Sequence, residues 1–374
     1  MWYNPQRVVL VELITEPHQK AYIQQRMDEL KQLVDTFWWL TVVEVVQQRK
    51  LPDYKTFIWK GKLGEVIEIM KEQDAGILIM GNILKSRQTY NLNEAMREHG
   101  LQARDRVDLI LKIFERHAES AEARLQIELA AIKHMGPRIF WMGMELSRQW
   151  WGIGTSWIWE TNTERMRRHL STRREQIEKK LKGHEASRAQ HRQSRKRNNL
   201  ATAGLVWYTN AWKSSLMNGL TNKDVLIEDK LFATLGTTVG KIYYPSMEGK
   251  GSSILVNDTI GFIRDLPPML IQAFTSTLED SVQADILLHV VDASDPLVED
   301  KIDVVEQILD QIGAKQERVL VFNKIDLIDN KRRFLEDLPV IAEEFGYEDK
   351  RFATSVKTWE WVQEISEFLE GFAV

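Results

Sequence analysis

The sequence predicts an α/β protein in three parts: a small N-terminal α/β domain (residues 1–105), an antiparallel hairpin of two long helices (106–197) and a C-terminal domain on a mainly parallel sheet (198–374). Three observations carry this. In the first and last parts, short apolar runs alternate with amphipathic stretches, as strands alternate with helices. In the middle part, apolar residues repeat only at helical spacing. Charge is also partitioned. Residues 165–197 hold 13 Lys/Arg and three Glu, a local +10 in a chain of net charge −4, which leaves −14 for everything else.

In chain order, Val8 to Leu13, Leu40 to Val46 and Ile77 to Met80 read as strands, and Ala21 to Val34 reads as an amphipathic helix. From Val107 to Met135, Ile110, Phe114, Leu125, Leu129 and Ile132 recur at helical spacing without Gly or Pro, which predicts one long helix ended by Gly136 and Pro137. A loop is expected over Ser147 to Thr163. Met166, Leu170, Ile177 and Leu181 then resume the helical repeat through the basic region, closing an αα-hairpin. After Asn198, the runs Gly204 to Val206, Ile254 to Val256, Ile286 to Val291, Val319 to Phe322 and Arg351 to Thr354 are separated by helical segments, as in a parallel sheet covered on both faces.

Composition narrows the function. The 374 residues suit two or three domains and hold no cysteine, which excludes disulfides, thiolate metal sites and cysteine nucleophiles and favours a reducing compartment. The eight histidines are scattered and suggest no zinc cluster. No apolar run approaches 18 residues and the N-terminus carries charge, so neither a membrane span nor a signal peptide is expected, and the expected location is the cytoplasm.

Four signals in the last part stand in the order of a guanine-nucleotide site. Trp207-Tyr208-Thr209-Asn210-Ala211-Trp212-Lys213-Ser214 follows a strand and precedes a helix. With glycine at 207 and 212 it is GxxxxGKS, the P-loop, whose backbone amides cradle phosphates at a helix N-terminus. Lys213 then meets the β- and γ-phosphates, Ser214 coordinates Mg²⁺, and Ser215 is counted with them among the nucleotide-binding residues. Asp258-Thr259-Ile260-Gly261 ends another strand, with the Asp holding the metal through water and the Gly amide meeting the γ-phosphate. Asn323-Lys324-Ile325-Asp326 follows a third strand, and its carboxylate can accept two hydrogen bonds from the guanine N1–H and N2 amine that adenine cannot supply. Ser355-Val356-Lys357 follows the last strand and brings a backbone amide to the base. Each signal alone is an ordinary strand-end turn; the four in register are not.

With these strings in view, the sequence resembles the HflX-type GTPases of the Obg-like branch, ribosome-associated proteins acting on the large subunit. The resemblance rests on Asp229-Lys-Leu-Phe232-Ala233-Thr234-Leu235, followed by Gly236, in the first switch, and on Asp258 to Pro267 in the second. Ala273 to Glu279 after it, Asp105 to Phe114, Leu125 to Leu129 and Leu146 to Gln149 extend the match. It implies a C-terminal P-loop GTPase domain in which Thr234, or failing that Thr238, reaches Mg²⁺ when GTP is bound. It also implies action on the ribosome; a monomer is the simplest expectation, without the short extra C-terminal domain of some relatives.

Several GTPases place a water-orienting glutamine just after DxxG, but that position here is Phe262, and the resembling family is also hydrophobic there. Slow intrinsic turnover, completed by switch rearrangement or by the ribosome, is the implication; the plainer alternative is an aromatic packed under the sheet. In some relatives the residue matching Asn210 helps to bind a monovalent cation, K⁺, near the phosphates. Equal turnover in potassium and sodium buffers would dismiss that role.

Tryptophan and glycine counts are odd together. At about 7% usage the chain should hold about 26 glycines; it has 20, with 13 tryptophans. Eleven of these (38, 39, 59, 150, 151, 157, 159, 207, 212, 359 and 361) fall where the resemblance expects glycine; Trp2 and Trp141 are undecided. An indole in a phosphate cradle opposes both the backbone conformation and the close approach of phosphate. The economical reading is a decoding difference, UGA being glycine in some bacterial codes and tryptophan in others. Ordinary core tryptophans are the alternative.

Arg165, Arg167, Arg168, Arg173, Arg174, Arg192, Arg195, Lys196 and Arg197 mark the basic second helix as an RNA-phosphate surface, against the alternative of a merely solvated face. By the resemblance, this helix and the N-terminal domain approach ribosomal RNA. Thr163 stands where the family's glycine-rich loop usually continues with leucine. The reading favoured is a Mg²⁺-dependent GTPase that binds GTP and GDP, engages the large ribosomal subunit in its GTP form to split, rescue or recycle ribosomes, and is released on hydrolysis. The alternative is a non-catalytic ribosome- or RNA-binding protein with a P-loop disabled by Trp207 and Trp212.

Overall fold

The first strand, β1 (Arg7–Ile14), is buried along nearly its whole length because it is an interior strand of a four-stranded parallel sheet in the order β2-β1-β3-β4. The computed structural model describes residues 5–16, 22–118, 120–149, 156–197, 200–208, 213–221, 238–245, 251–258, 261–264, 266–267, 270–271, 283–347 and 350–373. The strand β2 (Leu40–Gln48) lies on one edge, β3 (Ile77–Met80) beside β1, and β4 (Gln102–Asp105) on the far edge. Parallel neighbours require crossovers, supplied by α1 (Ile23–Thr36), α2 (Lys60–Glu72) and α3 (Ser86–Arg97). The strand β4, Gln-Ala-Arg-Asp, carries no apolar run and so gives no strand signal in the sequence, since an edge strand needs backbone pairing more than side-chain burial.

The single helix expected over Val107 to Met135 is two: α4 (Arg106–His117) and α5 (Ala121–Gln149). Local capping explains both starts. Asp105 Oδ1 accepts the Asp108 amide (2.9 Å) and Asp108 Oδ2 the Asp105 amide (3.4 Å), a reciprocal cap on α4. Ser120 Oγ accepts the Ala123 amide (3.0 Å) and opens α5. Nor does α5 stop at Gly136 and Pro137; it runs through both. A proline removes one helical hydrogen bond and kinks the helix, which need not end it. The helices α5 and α6 (Ser156–Arg197) both extend into the expected loop, of which residues 150–155 lie outside the described residues. Glu128 takes Arg173 in a two-pronged ion pair (2.6 and 2.7 Å), and Glu122 takes Arg188, so the partners descend α5 as they ascend α6, as an antiparallel hairpin requires.

The second sheet has six strands, β10-β9-β8-β5-β7-β6, formed by β5 (Ala201–Trp207), β6 (Thr238–Tyr244), β7 (Ser252–Asp258), β8 (Ile286–Asp292), β9 (Glu317–Asn323) and β10 (Arg351–Ala353). All neighbours are parallel except the edge pair β6–β7. The strand β6, Thr-Val-Gly-Lys-Ile-Tyr-Tyr, has no consecutive apolar run of the kind that marks the other strands, and one of its inward positions is Gly240, which adds no apolar side chain to the pattern. One face packs Leu205, Leu288 and Val321 with α7 (Lys213–Thr221) and α10 (Val362–Glu370). The other packs Val291, Leu320 and Phe322 with α8 (Val298–Gln311) and α9 (Lys331–Glu344). A fully buried side chain such as Phe322 contributes about 1.5–3 kcal/mol to holding these layers together.

The chain divides into two compact units, residues 1–116 with 127–179 and residues 117–126 with 180–374. Among the described residues, no helix is long and apolar enough to cross a membrane. His134 Nε2 lies 3.4 Å from both Asp105 Oδ1 and Asp108 Oδ1, a grouping the scattered histidines of the sequence did not announce.

Candidate nucleotide site

The motifs gather at the C-terminal ends of the second sheet's parallel strands, where open α/β sheets bind ligands. The strand β5 ends at Trp207 and α7 begins at Lys213, so a strand and a helix N-terminus flank residues 209–212, the order in which a P-loop is entered and left. Lys213 and Ser214 are the first two residues of that helix. In its first turn Ser215 is buried, and its Oγ has no hydrogen-bond partner among the described residues, as suits a hydroxyl at an anion site. Thr209, Asn210, Ala211, Trp212, Phe232, Ala233, Thr234, Leu235, Gly236, Thr259 and Ile260 lie outside the described residues.

Asp258, the last residue of β7, pairs in register with Leu205 of β5 on one side and opposite Thr238 of β6 on the other. That puts the expected metal-binding carboxylate residue one strand from the P-loop and the second-choice threonine directly across from it. Gly261 and Phe262 follow. Phe262 is 1% exposed and its amide donates to the Trp207 carbonyl (2.8 Å), so the ring belongs to the core, as the plainer alternative held.

Trp207 itself departs from expectation. It lies in extended strand, a conformation any residue adopts, and its side chain is buried in the core, so backbone strain is no objection to an indole there. Three other tryptophans differ. Trp38 (φ 67°), Trp359 (φ 63°) and Trp361 (φ 54°) adopt the left-handed conformation that favours glycine, and all three are exposed.

The residues expected to read the base come together. The Val356 amide donates to buried Asn323 Oδ1 (3.3 Å), and Ser355 Oγ donates to Asp326 Oδ1 (2.6 Å). Half-buried Asp326 is thus oriented by a hydroxyl from the segment after the last strand, and Lys357 is exposed. Lys324 is left-handed (φ 66°), and its Nζ reaches Asp292 Oδ2 (2.5 Å). Asp292 lies outside the motifs that the sequence brings forward. Its other oxygen accepts the amide (3.0 Å) and hydroxyl (2.6 Å) of Ser294, an Asx turn that Asp292-Ala-Ser-Asp-Pro296 after a strand signals.

Of the residues proposed for RNA, Arg165, Arg167, Arg168 and Arg174 are exposed on α6. Arg168 pairs with Glu164 (2.5 Å) and Arg174 with Glu178 (2.8 Å), whereas Arg173 is committed to Glu128. Arg192, Arg195, Lys196 and Arg197 continue the helix, with side chains outside the described set.

The chain matches three families in succession: GTP-binding GTPase N-terminal over residues 24–115, GTP-binding GTPase Middle Region over 117–195, and 50S ribosome-binding GTPase over 202–324. It is 41% identical over 327 residues to the GTPase HflX of Caldanaerobacter subterraneus subsp. tengcongensis, an overlap covering 87% of this chain and 74% of that one. The chain belongs to the HflX family of GTPases. The HflX of Escherichia coli (strain K12) is 37% identical over 305 residues, 81% of this chain and 70% of that one. In fold, this HflX chain is similar to SsGBP in complex with GDP (TM-score 0.55, 23% identity, 98% of each chain). As an HflX GTPase it is a GTP hydrolase, converting GTP to GDP and phosphate.

Proposed function

We propose that the chain is a Mg²⁺-dependent GTPase whose GTP form binds the large ribosomal subunit to split, rescue or recycle ribosomes, and whose hydrolysis releases it. We further infer that the native residue at the family-glycine positions written as tryptophan is glycine. The observation that carries the first reading is the convergence at the strand ends: the Lys213 helix start, Asp258, and the pairs Asn323–Val356 and Asp326–Ser355. The observation that carries the second is the left-handed backbone at Trp38, Trp359 and Trp361, a conformation costing a residue with a Cβ about 1–2 kcal/mol.

In this reading residues 198–374 are the switch, while 1–105 and the hairpin 106–197 face the ribosome. Asp326 reads guanine through two acceptor positions, with Ser355 fixing its orientation. Backbone amides between the end of β5 and the first turn of α7 cradle the phosphates, and Lys213 offsets their charge. Ser214, Asp258 and Thr234 or Thr238 are the oxygen donors that fit Mg²⁺. When bound, the metal neutralises charge on the phosphates. The Gly261 amide meets the γ-phosphate and reports its loss to the second switch. Buried Phe262 offers no group to orient water, so turnover is slow until the ribosome completes the site. K⁺ beside Asn210 belongs to the same reading. On α6, Arg165 and Arg167 supply phosphate contacts, and Arg173 shapes the hairpin.

Fluorescent GTP titrated into protein carrying glycine at all 13 tryptophan positions, beside the literal sequence, tests the enzyme. Saturable, Mg²⁺-dependent binding by the glycine form is expected, and its absence would sink the reading. Sedimentation with large subunits in a non-hydrolysable GTP analogue and in GDP tests the partner. Binding indifferent to nucleotide would instead favour the passive RNA binder.

A further inference from the structure

The start of the P-loop is joined to the second switch at Phe262 and Arg264. The Phe262 amide donates to the Trp207 carbonyl (2.8 Å), a backbone bond that any pair of residues would make. The Arg264 amide donates to the Tyr208 hydroxyl (2.9 Å), and this bond needs a phenol reaching across from residue 208. Tyr208 is 4% exposed, the Lys301 ammonium of α8 lies 5.0 Å from its ring centre, and the Arg264 guanidinium is 3.4 Å from Asp300 of the same helix. Residue 264 is therefore held at both its backbone and its side chain. An ordered switch backbone matters more here than where a glutamine follows DxxG, because the ring of Phe262 is in the core and the attacking water must be ordered by groups other than the side chain at 262.

We propose that Tyr208 is a positioning residue for GTP hydrolysis: its hydroxyl pins the second switch at Arg264, so that Gly261 turns toward the γ-phosphate against a fixed segment. The proposal rests on the reading of Gly261 as the γ-phosphate contact. Tyr208 acts through the backbone alone and needs no contact with the reacting atoms.

Y208F removes one oxygen from a buried ring and leaves its packing in place. In the glycine-restored protein, kcat for GTP should fall about fivefold, the worth of one neutral hydrogen bond, while KM for GTP and Kd for GDP stay within about twofold. In the nucleotide-free protein, hydrogen exchange at the Arg264 amide should quicken by a similar factor, a readout that needs no working P-loop. An unchanged kcat overturns the proposal whatever the exchange shows. A matching loss of GDP affinity overturns it too, since Tyr208 would then be shaping the loop in general. If the parent itself fails to turn over GTP, the site reading has failed, visibly and before the substitution is made, and this proposal falls with it.

Discussion

At Trp359 the chain asks an indole to sit at φ 63° with 62% of its surface exposed, so the side chain buries little in return for the strain. W359G should therefore raise the unfolding free energy by about 1 kcal/mol, the relief of a left-handed Cβ less the entropy of glycine, read from urea denaturation of the single variant. A loss of stability would mean that the indole is native there. The coding DNA offers an independent check, with UGA expected and UGG fatal to the decoding idea at codons 150, 151, 207 and 212. The base-reading loop makes a second residue-scale prediction. Lys324 is left-handed and tied to Asp292 across β8 and β9, whose ends are paired at Asp292 and Asn323. D292N keeps an acceptor but removes the charge of that pair and should weaken GDP binding about fivefold to tenfold, the difference between a charge-assisted and a neutral hydrogen bond, measured by titration in the glycine-restored protein. An unchanged affinity would show that Lys324 is placed by its backbone alone.

Among the elements, α6 holds arginines in two surroundings. Arg173 grips Glu128 on α5 with two hydrogen bonds, while Arg165 and Arg167 project on the exposed run. Counterion release makes each phosphate contact visible in the salt dependence of binding. R165Q with R167Q should lower large-subunit affinity and reduce the slope against salt by about one per lost contact, with no change in helicity. R173Q should leave that slope alone and lower the unfolding midpoint of the hairpin. The reverse pattern would reassign the charge on α6 to folding. In the sequence all nine basic residues look alike, since a charge run does not say which of its members has a partner on the neighbouring helix.

Across the whole molecule, two units with separate cores carry the fold, and one buried network sets an acid limit on the second. Glu306 of α8 meets His289 Nδ1 (3.0 Å) on β8, the Tyr347 hydroxyl and Arg318 of β9. Burial opposes its charge, but the bonds from His289 and Tyr347 and the Arg318 charge outweigh that and hold its pKa down at about 2, against an ordinary 4.5. A carboxylate depressed on folding contributes stability that is fully present above the unfolded value and is lost as pH falls through the folded one. Unfolding midpoints should thus drop between about pH 4.5 and pH 2, and E306Q should flatten that drop while lowering stability at pH 7. An equally steep acid limb in E306Q would place the acid sensitivity elsewhere.

Much of the fold and the order of the site are legible because apolar runs ending in Asp258, Asn323 and Ser355 state both a strand and the functional turn after it. Capping chemistry at Asp105 and Ser120 is readable too, and it outweighs the unbroken helical repeat that hides the break between α4 and α5. The edge strand β4 and the passage of α5 through Pro137 are not readable, since edge pairing and helix continuation across a proline leave little trace in local composition. By itself the sequence pointed to the nucleotide class, which the HflX relatives bear out, because the carboxylate at 326 in NKxD and the Lys213-Ser214 pair are local patterns of guanine and phosphate chemistry. Only the tertiary structure decided which groups stand behind them. Asp292 beneath Lys324, Ser355 on Asp326, Tyr208 on Arg264 and the left-handed turns at three tryptophans arise from backbone paths and from residues as many as 56 positions apart, where spacing along the chain carries no information.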